Sequence, residues 1–545
     1  MPGRAALTRP AALGLALTFA AVIFAIPVAR APIWEPNDAR YVLLAQDIVE
    51  HGHWLVPEVR GVHGEGLYKP QLYSWVLALV SLPFGRVTEL TAALPSVAAA
   101  LGCVAGVVAI AYRLWDVRAG LLAGLILTTT PGYVVFAQRS LPDVMLTTWI
   151  IWALYFWLRT RSDRSLRSLL GFYGCVGGAM LSKGPVGLTA LAAAVVATWM
   201  TDGRSGLRSL RLGLGALLLA LMATVWVLPY LLAEPRAFVS DVVVGEYGAW
   251  FFRKHGLLYR AAHMPSVLLY FAPWTLYLAG AVVWWRRAVP DVGRRRVILW
   301  TMTLWGLVGL SGIYRDRYYL PVYPGLALLT AQFVAAASAD AGRRMLRIGS
   351  AAFVVLALAG AALMALSVTP SGDGAVYWPD RVWERGLIAV LLTLGAVQVG
   401  RLARREAFLG VAVSVALVLG AIEVVEGVTA PQRRARDYDV RALAAIATAH
   451  GSPDGLVIGY PDLSLEWDVY LRRPVREIGS TDGVLRFLSE PSRGIVIMTA
   501  PRWAEVAGRA DPSWRVLAAR RIGDREMVVV GCDGWPQGAL EPAKN

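Results

Sequence analysis

"KPQLYSWVLALVSLPFG", residues 69–85, decides how this chain is threaded: if it crosses a bilayer, every later loop changes sides. The question arises because the chain is membrane-embedded. Its 545 residues are 57% hydrophobic and 17% charged, with a mean hydropathy of +0.52, outside the range of an ordinary soluble globular protein. Continuously apolar runs, long enough to cover a hydrocarbon core of about 30 Å, recur from residue 10 to residue 427. They lack the alternation of barrel strands, so the spanning element is the helix.

Working outward from residue 69, spans are expected near 10–30, 88–112, 118–136, 143–158, 167–182, 184–200, 211–232, 265–285, 296–313, 318–338, 347–368, 384–400 and 407–427. That is about thirteen, each sized to a core of roughly 30 Å. With 69–85 left out of the count, the basic loops "RLWDVR", "RTRSDRSLRS", "TDGRSGLRSLR", "WWRRAVPDVGRRR", "DAGRRMLR" and "RLARRE" all fall on the side of the N-terminus. Short cytoplasmic loops carry an excess of Lys and Arg, so that side is the cytoplasm and 69–85 is a short helix at the interface. Arg4 and Arg9 precede the first run as in a signal peptide, but no convincing cleavage site follows, and the run is read as an uncleaved first span.

The net charge of +15 sits largely in those orienting loops, so the sequence gives no reason to expect a nucleic-acid partner. Cys103 and Cys175 fall inside expected spans and Cys532 stands alone near the C-terminus, which leaves no disulfide framework and no thiolate metal site. The chain is expected to divide into a membrane domain, 1–430, and an extracytoplasmic α/β domain, 431–545. In the latter "GLVIGYP", "GIVIMTA" and "MVVVGC" read as buried strands, and "DYDVRALAAIATAH" and "STDGVLRFLSE" as helices. It has neither a Gly-rich phosphate loop nor a His/Cys cluster.

Ionisable groups gather on the outer side, at span ends. "WEPNDARY", residues 34–41, puts Glu35, Asp38 and Arg40 where the first span leaves the bilayer. Asn37 can cap a helix "DARYVLLAQDIVEHG" that Gly52 ends, which accounts for Asn37 and Asp38 but not for Glu35 and Arg40. "LYKPQLYSW" sets Lys69 at a proline-started helix, where a snorkelling lysine is the plain reading. "QRSLPDVMLTTW" opens a span on Asp143, and "MLSKGPVGL" places Lys183 at a Gly-Pro break between spans. Ionisable groups inside a membrane cost roughly 2.5–3.5 kcal/mol on the insertion scale and then mark function, although these two lie at span ends. "GEYGAWFFRKHGLLYRAAH" carries Glu246, Tyr247, Arg253, His255 and His263, and "YRDRYYLPVYP" carries Arg315, Asp316 and Arg317 before tyrosines. Either could be a solvated aromatic belt, and two histidines eight residues apart are not a zinc spacing. Together these loops can converge at one mouth of a helix bundle, where cations suit a phosphate and carboxylates suit a general base or a metal bridge.

These motifs resemble the GT-C superfamily of polyprenyl-phosphate-sugar-dependent glycosyltransferases, in particular the aminoarabinose-transferase and protein-mannosyltransferase-like group called family 39. "NDARYVLLAQDIVEHGHWLVPEV" is similar to the family's acidic first loop, "YKPQLYSW" to its Lys-Pro-Pro segment, and "LPDVML" to its second-loop Asp. "SKGPVGL" is similar to its Lys-Gly-Pro, and "RDRYYLPVYPGLALL" to its Tyr-Leu-Leu-Pro motif. The resemblance implies transfer of a sugar from a polyprenyl phosphate to a lipid, glycan or protein acceptor on the outer face of the cytoplasmic membrane. It implies a carboxylate base among Asp38, Glu35 and Asp143, and donor-phosphate contacts from Arg40, Lys69, Lys183, Arg253 and Arg317. It places Asn37, Tyr41, Tyr68, Tyr247 and Tyr318 along the substrate. Two departures stand out. The family has Asp-Glu where this chain has Asn37-Asp38, and Tyr68 and Tyr247 replace a Glu and a His, so the residues that would hold the aminoarabinose branch's metal are largely missing. The cofactor is left open: a divalent metal is compatible with the sequence but not required by it. A transporter of a lipid-linked or small anionic substrate, and an inactive lipid-sugar-binding relative, are the competing readings.

Overall fold

The computed structural model describes all of the chain except residues 1–6, 29–31, 34, 60–61, 64–68, 249–256, 311–313, 338–339, 367–377, 451–456, 461–462, 474, 490–493 and 533–545. Tyr68, Arg253 and His255 therefore lie outside the described residues. Every segment expected to span is mostly helical where it is described. Seven apolar helical stretches are long enough to cross a membrane, or nine if two bent pairs each count as one. The difference from thirteen has physical causes. Arg9–Ala25 is only 17 residues long, Val292–Gly309 opens on three arginines, and Pro142–Asp163 ends in "RTRSD". Residues 166–208 form one continuous stretch by that measure but turn back on themselves at the 3-10 turn Gly184–Leu188. Ion pairs show this: Lys183 binds Asp143 at the start of Pro142–Asp163, whereas Asp202 binds Arg161 at its end, about 30 Å away along the helix.

The expected segments 118–136 and 265–285 are broken rather than straight. The first bends by 68° between Val117–Thr128 and Pro131–Ala137, the second by 108° between Ala261–Tyr270 and Trp274–Trp285. A proline stands at each break, Pro131 as the first residue of the second helix and Pro273 between Tyr270 and Trp274, and a proline removes a helix donor and clashes with the preceding turn. The two breaks meet, with the Trp274 indole donating to Thr129 Oγ1 at 3.1 Å.

The basic loops collect at one end of the bundle. The Trp115 indole donates to Asp291 at 2.9 Å, Arg161 and Arg296 share Asp202 at 3.2 and 2.9 Å, and Arg343 and Arg347 share Glu406. Arg9 is at that end too, its carbonyl accepting from the Tyr112 hydroxyl at 3.0 Å. The N-terminus and residue 112 thus lie at the same end of the bundle, and two long helices already join them, Arg9–Ala25 and Glu89–Leu114. Two passes along the bundle thus return the chain to the same end without a third pass by residues 69–85. They form the helix Leu72–Ser81 and a 3-10 turn Leu82–Phe84, packed between the loop helix Pro36–His51 and Glu89–Leu114.

At the other end sits the C-terminal α/β unit. Its sheet runs in the order Arg476–Glu477, Val457–Tyr460, Ile495–Thr499, Arg525–Cys532, Trp514–Ile522, with the first three strands parallel and the last two antiparallel. The three strands read from the sequence are present, while Arg476–Glu477 and Trp514–Ile522 were not anticipated. The last membrane helix also continues past the expected boundary at 430, as Phe408–Tyr438, and runs into this unit without a break.

If residues 72–84 do not cross, cysteines at Glu50 and Arg86, in a Cys532→Ser background, should react with a membrane-impermeant maleimide from the same side, and one at Arg118 from the opposite side. Labelling of E50C and R86C from opposite sides would restore the crossing.

Candidate active site

The loop helix Pro36–His51 carries the first group of acids. Its N-cap is Glu35, with Pro36 at the first helical position, where the missing N–H is harmless. Asn37 is therefore the second residue of the helix and not its cap, a correction that follows from the proline. Gly52 ends the helix in a left-handed conformation (φ 74°), its N–H reaching Ile48 at 3.0 Å, as expected. Tyr41 packs edge-on to Tyr73 at 5.4 Å, and the Tyr73 hydroxyl meets Ser96 at 2.9 Å. Ser96 in turn donates to the Leu141 carbonyl at 3.2 Å, so this ladder fixes the loop helix against the helix that begins at Pro142.

Asp38 is buried, and a buried carboxylate needs a partner. The partner is Arg139, whose guanidinium donates to both Asp38 oxygens at 3.1 and 3.2 Å and also binds Glu35 at 2.6 Å. The sequence reading missed Arg139. Its only signal was a base two residues ahead of Leu-Pro-Asp, and its acids lie about a hundred residues earlier. Asp38 and Glu35 are thus one ion-paired triad with Arg139, in which Glu35 is the more exposed carboxyl, 26% against 7%.

Asp143 belongs to a second group. It lies in the first turn of Pro142–Asp163, where the helix dipole favours an anion. It binds the Lys183 ammonium directly and has Arg317 Nε at 3.9 Å. Lys183 lies 4.4 Å from the centre of the Tyr318 ring and Arg317 6.0 Å, on the same aromatic face-forming residue. Lys69 stands 3.5 Å from Glu246 and within electrostatic range of Asp143, Arg317 and Arg40. Burial pushes the Lys69 ammonium below the usual lysine range, with Glu246 and Asp143 opposing that shift. Tyr41 feels Asp143, Arg40, Arg317 and Glu246 together.

Lys183, Glu246, Tyr247, Arg317 and Tyr318 line a small recess that Leu146, Val186 and Val308 close on its apolar side. Gly184 makes it possible. Its φ is 74°, and a Cβ there would lie 2.0 Å from the Tyr247 hydroxyl oxygen, so only glycine lets Lys183 and Tyr247 share the recess. Of the expected site residues, Asp143, Arg40, Lys69, Lys183, Arg317, Tyr41, Tyr247 and Tyr318 come together. Asp38, Glu35 and Asn37 sit on the adjoining helix start, linked electrostatically through Arg317, which acts on both Asp38 and Asp143. His263 lies apart, its ring tilted between those of Tyr259 and Tyr314, with centres 4.3 Å apart in each case.

A divalent ion has a poor seat in this recess. Its two carboxylates are already held by lysines, and Tyr247 presents a phenol. Among the described residues, three close potential metal ligands occur elsewhere, at Asp47, His51 and His53.

The C-terminal unit reaches this site. The Tyr470 hydroxyl accepts from the Ile33 N–H at 2.8 Å, and Arg441 lies 3.6 Å from Glu89. Glu466, buried at the start of a short helix, is pushed up to about 7 by burial, with the charges of Asp38 and Glu35 adding to the shift. A carboxyl whose folded pKa is raised stabilises the fold fully below its unfolded value and loses that contribution as pH rises through the folded one. Hydrogen-exchange protection of 466–471 and 33–39 should therefore fall between about pH 5 and pH 8, and Glu466→Gln should flatten that fall. Equal pH dependence in both proteins would contradict it.

Residues 68–230 match the family model described as dolichyl-phosphate-mannose-protein mannosyltransferase. The undecaprenyl phosphate-alpha-4-amino-4-deoxy-L-arabinose arabinosyl transferase of Aeromonas salmonicida is 26% identical over 422 residues, 71% of this chain and 72% of that protein. The same-named protein of Erwinia tasmaniensis is 25% identical, covering 57% of each chain. In fold, the crystal structure of ArnT from Cupriavidus metallidurans bound to undecaprenyl phosphate superposes with a TM-score of 0.78 at 19% identity, over 95% of this chain and 97% of that one. The chain is a polytopic membrane protein similar in sequence to the aminoarabinose transferases and in fold to ArnT.

Proposed function

We propose that the protein transfers a sugar from a polyprenyl phosphate to a hydroxyl of a lipid, glycan or protein acceptor. The reaction lies at the outer face of the cytoplasmic membrane, with the N-terminus and basic loops cytoplasmic and residues 431–545 outside. The observation that carries this reading is the set of four cations, Arg40, Lys69, Lys183 and Arg317, gathered around Asp143 and Glu246 at one end of a helix bundle. Such a surplus of fixed positive charge suits a phosphate, and a site at the bundle's mouth suits a donor whose tail stays in lipid.

The acceptor oxygen attacks the anomeric carbon as the bond from that carbon to the phosphate oxygen breaks, and the acceptor proton passes to a protein carboxylate. The leaving polyprenyl phosphate gains one negative charge. Lys69, Lys183 and Arg317 therefore hold it more tightly in the transition state than in the ground state, which is the condition for accelerating the step. Asp143 orients Lys183 and Arg317 in this scheme. Asp38 keeps Arg139 in place through two hydrogen bonds, and Glu35, the most exposed of the three candidate carboxyls, takes the proton. Inversion at the anomeric carbon is expected by family similarity. A transporter would place its ionisable groups near the membrane midplane, whereas these stand at one end of the bundle.

With purified protein and radiolabelled undecaprenyl-phosphate sugars, Lys69→Ala and Lys183→Ala should each weaken donor binding by roughly 10–100-fold, the worth of one lost charge-assisted contact. Glu35→Gln should leave the donor Kd within about twofold and lower turnover by roughly 10²–10⁴, the usual scale of a general base. Normal turnover in Glu35→Gln would remove Glu35 as the base. Donor binding without turnover in the wild type would favour the inactive relative.

A further inference from the structure

We infer that Asp47, His51 and His53 form a binding site for a first-row transition dication of the zinc class, on the same loop helix as the candidate active site but nine residues further along, about 13 Å away. Asp47 and His51 are one helical turn apart and face the same way. The left-handed Gly52 then reverses the chain after the last helical residue and brings His53 back over His51, ring centres 5.6 Å apart and 23° from parallel. Both imidazoles consequently aim Nδ1 at one carboxylate, His51 at Asp47 Oδ1 (2.9 Å) and His53 at Asp47 Oδ2 (3.0 Å). All three potential ligand atoms lie within 4.8 Å of one another.

An ordinary surface histidine pair does not need this construction. Asp47 is the buried anchor, 11% exposed, and its Oδ2 also accepts the Glu58 N–H at 2.8 Å, which fixes its rotamer from the adjoining strand. The two rings, 60% and 43% exposed, can move outward by the few tenths of an ångström that separate a hydrogen-bonded N···O pair from two ligands on one tetrahedral ion with bonds of about 2.0–2.1 Å. Two imidazoles and one carboxylate select zinc, nickel, copper or cobalt over magnesium and calcium, which prefer all-oxygen shells. Three protein ligands leave a fourth position for water or an anion. That choice is not neutral here, because the group lies on the wall of a large cleft between the loop helix and the C-terminal unit that Arg86, Arg472 and Arg473 also line. An occupied site would thus present a metal with an open position to a cleft that carries both guanidinium groups and the carboxylates of Glu50, Glu58 and Asp468, and would pin the turn at Gly52 against that unit.

The test is equilibrium dialysis of the full-length, detergent-solubilised protein, stripped with chelator, against micromolar Co²⁺ or Zn²⁺, with bound metal counted by mass spectrometry. Wild type should hold one equivalent more than His51→Ala, His53→Ala and Asp47→Asn, and the Co²⁺ form should show the visible absorption of a tetrahedral N/O site that each substitution abolishes. Zn²⁺ should raise the melting temperature of wild type and not of the two histidine variants, whose exposed side chains make misfolding an unsuitable explanation. Equal stoichiometry in wild type and variants, or no bound metal in wild type, would overturn the site. Neither result depends on glycosyl transfer, so it leaves the proposed reaction untouched.

Discussion

The site depends on one constraint: a carboxylate placed at the apolar mouth of a helix bundle must be matched by a cation, and Asp143 is matched by Lys183. That pair joins the start of Pro142–Asp163 to the end of Leu166–Lys183 and forces the chain to turn back immediately, through Gly184. The turn can be that tight only because Gly184 has no side chain to meet Tyr247. Removing one member of such a buried pair strands the other charge, which typically costs 3–5 kcal/mol, so the pair locks helix register as firmly as it tunes charge. Arg317 is added to it from a third, distant segment, and the recess is complete.

The neighbouring triad of Glu35, Asp38 and Arg139 applies the same rule at the loop helix. Here the division of labour follows from geometry. Asp38 gives both oxygens to Arg139 and is nearly buried, whereas Glu35 makes a single contact and faces outward. A carboxylate that fixes a guanidinium and one that remains accessible to a substrate proton are different devices, even three residues apart. The C-terminal unit completes the enclosure, because Glu466 and Tyr470 approach this helix start from outside the membrane bundle.

Much of this was legible in the sequence. Hydropathy located the long apolar helices but not Phe238–Gly248, read as part of an outer loop, nor the short helices Glu466–Leu471 and Ala500–Val506, and the bias of arginines toward alternate loops left residues 69–85 out of the count, a reading with which the contact between Arg9 and Tyr112 agrees. The acids and bases of the site were found because charge is conspicuous at the ends of apolar runs. Their pairing was not. Arg139 meets acids about a hundred residues away, and no local pattern announces such a contact. Asn37 was misread as a cap because its type is favoured there, while Pro36, by occupying the first helical position, moved the cap to Glu35. The strand Trp514–Ile522 escaped because it lies at a sheet edge, with arginines at 515, 520 and 521 that break the apolar pattern and protect an unpaired edge. The Asp47, His51 and His53 cluster was hidden for another reason: its convergence exists only once Gly52 has turned the chain.

The central claim is that the cations around Asp143 form the seat of the donor phosphate. A cryo-electron microscopy structure of the protein in nanodiscs with undecaprenyl phosphate tests it most directly. The account predicts phosphate density within hydrogen-bonding distance of at least two of Lys69, Lys183 and Arg317. Phosphate bound instead at Arg139, or in the cleft beside Arg86 and Arg472, would contradict it.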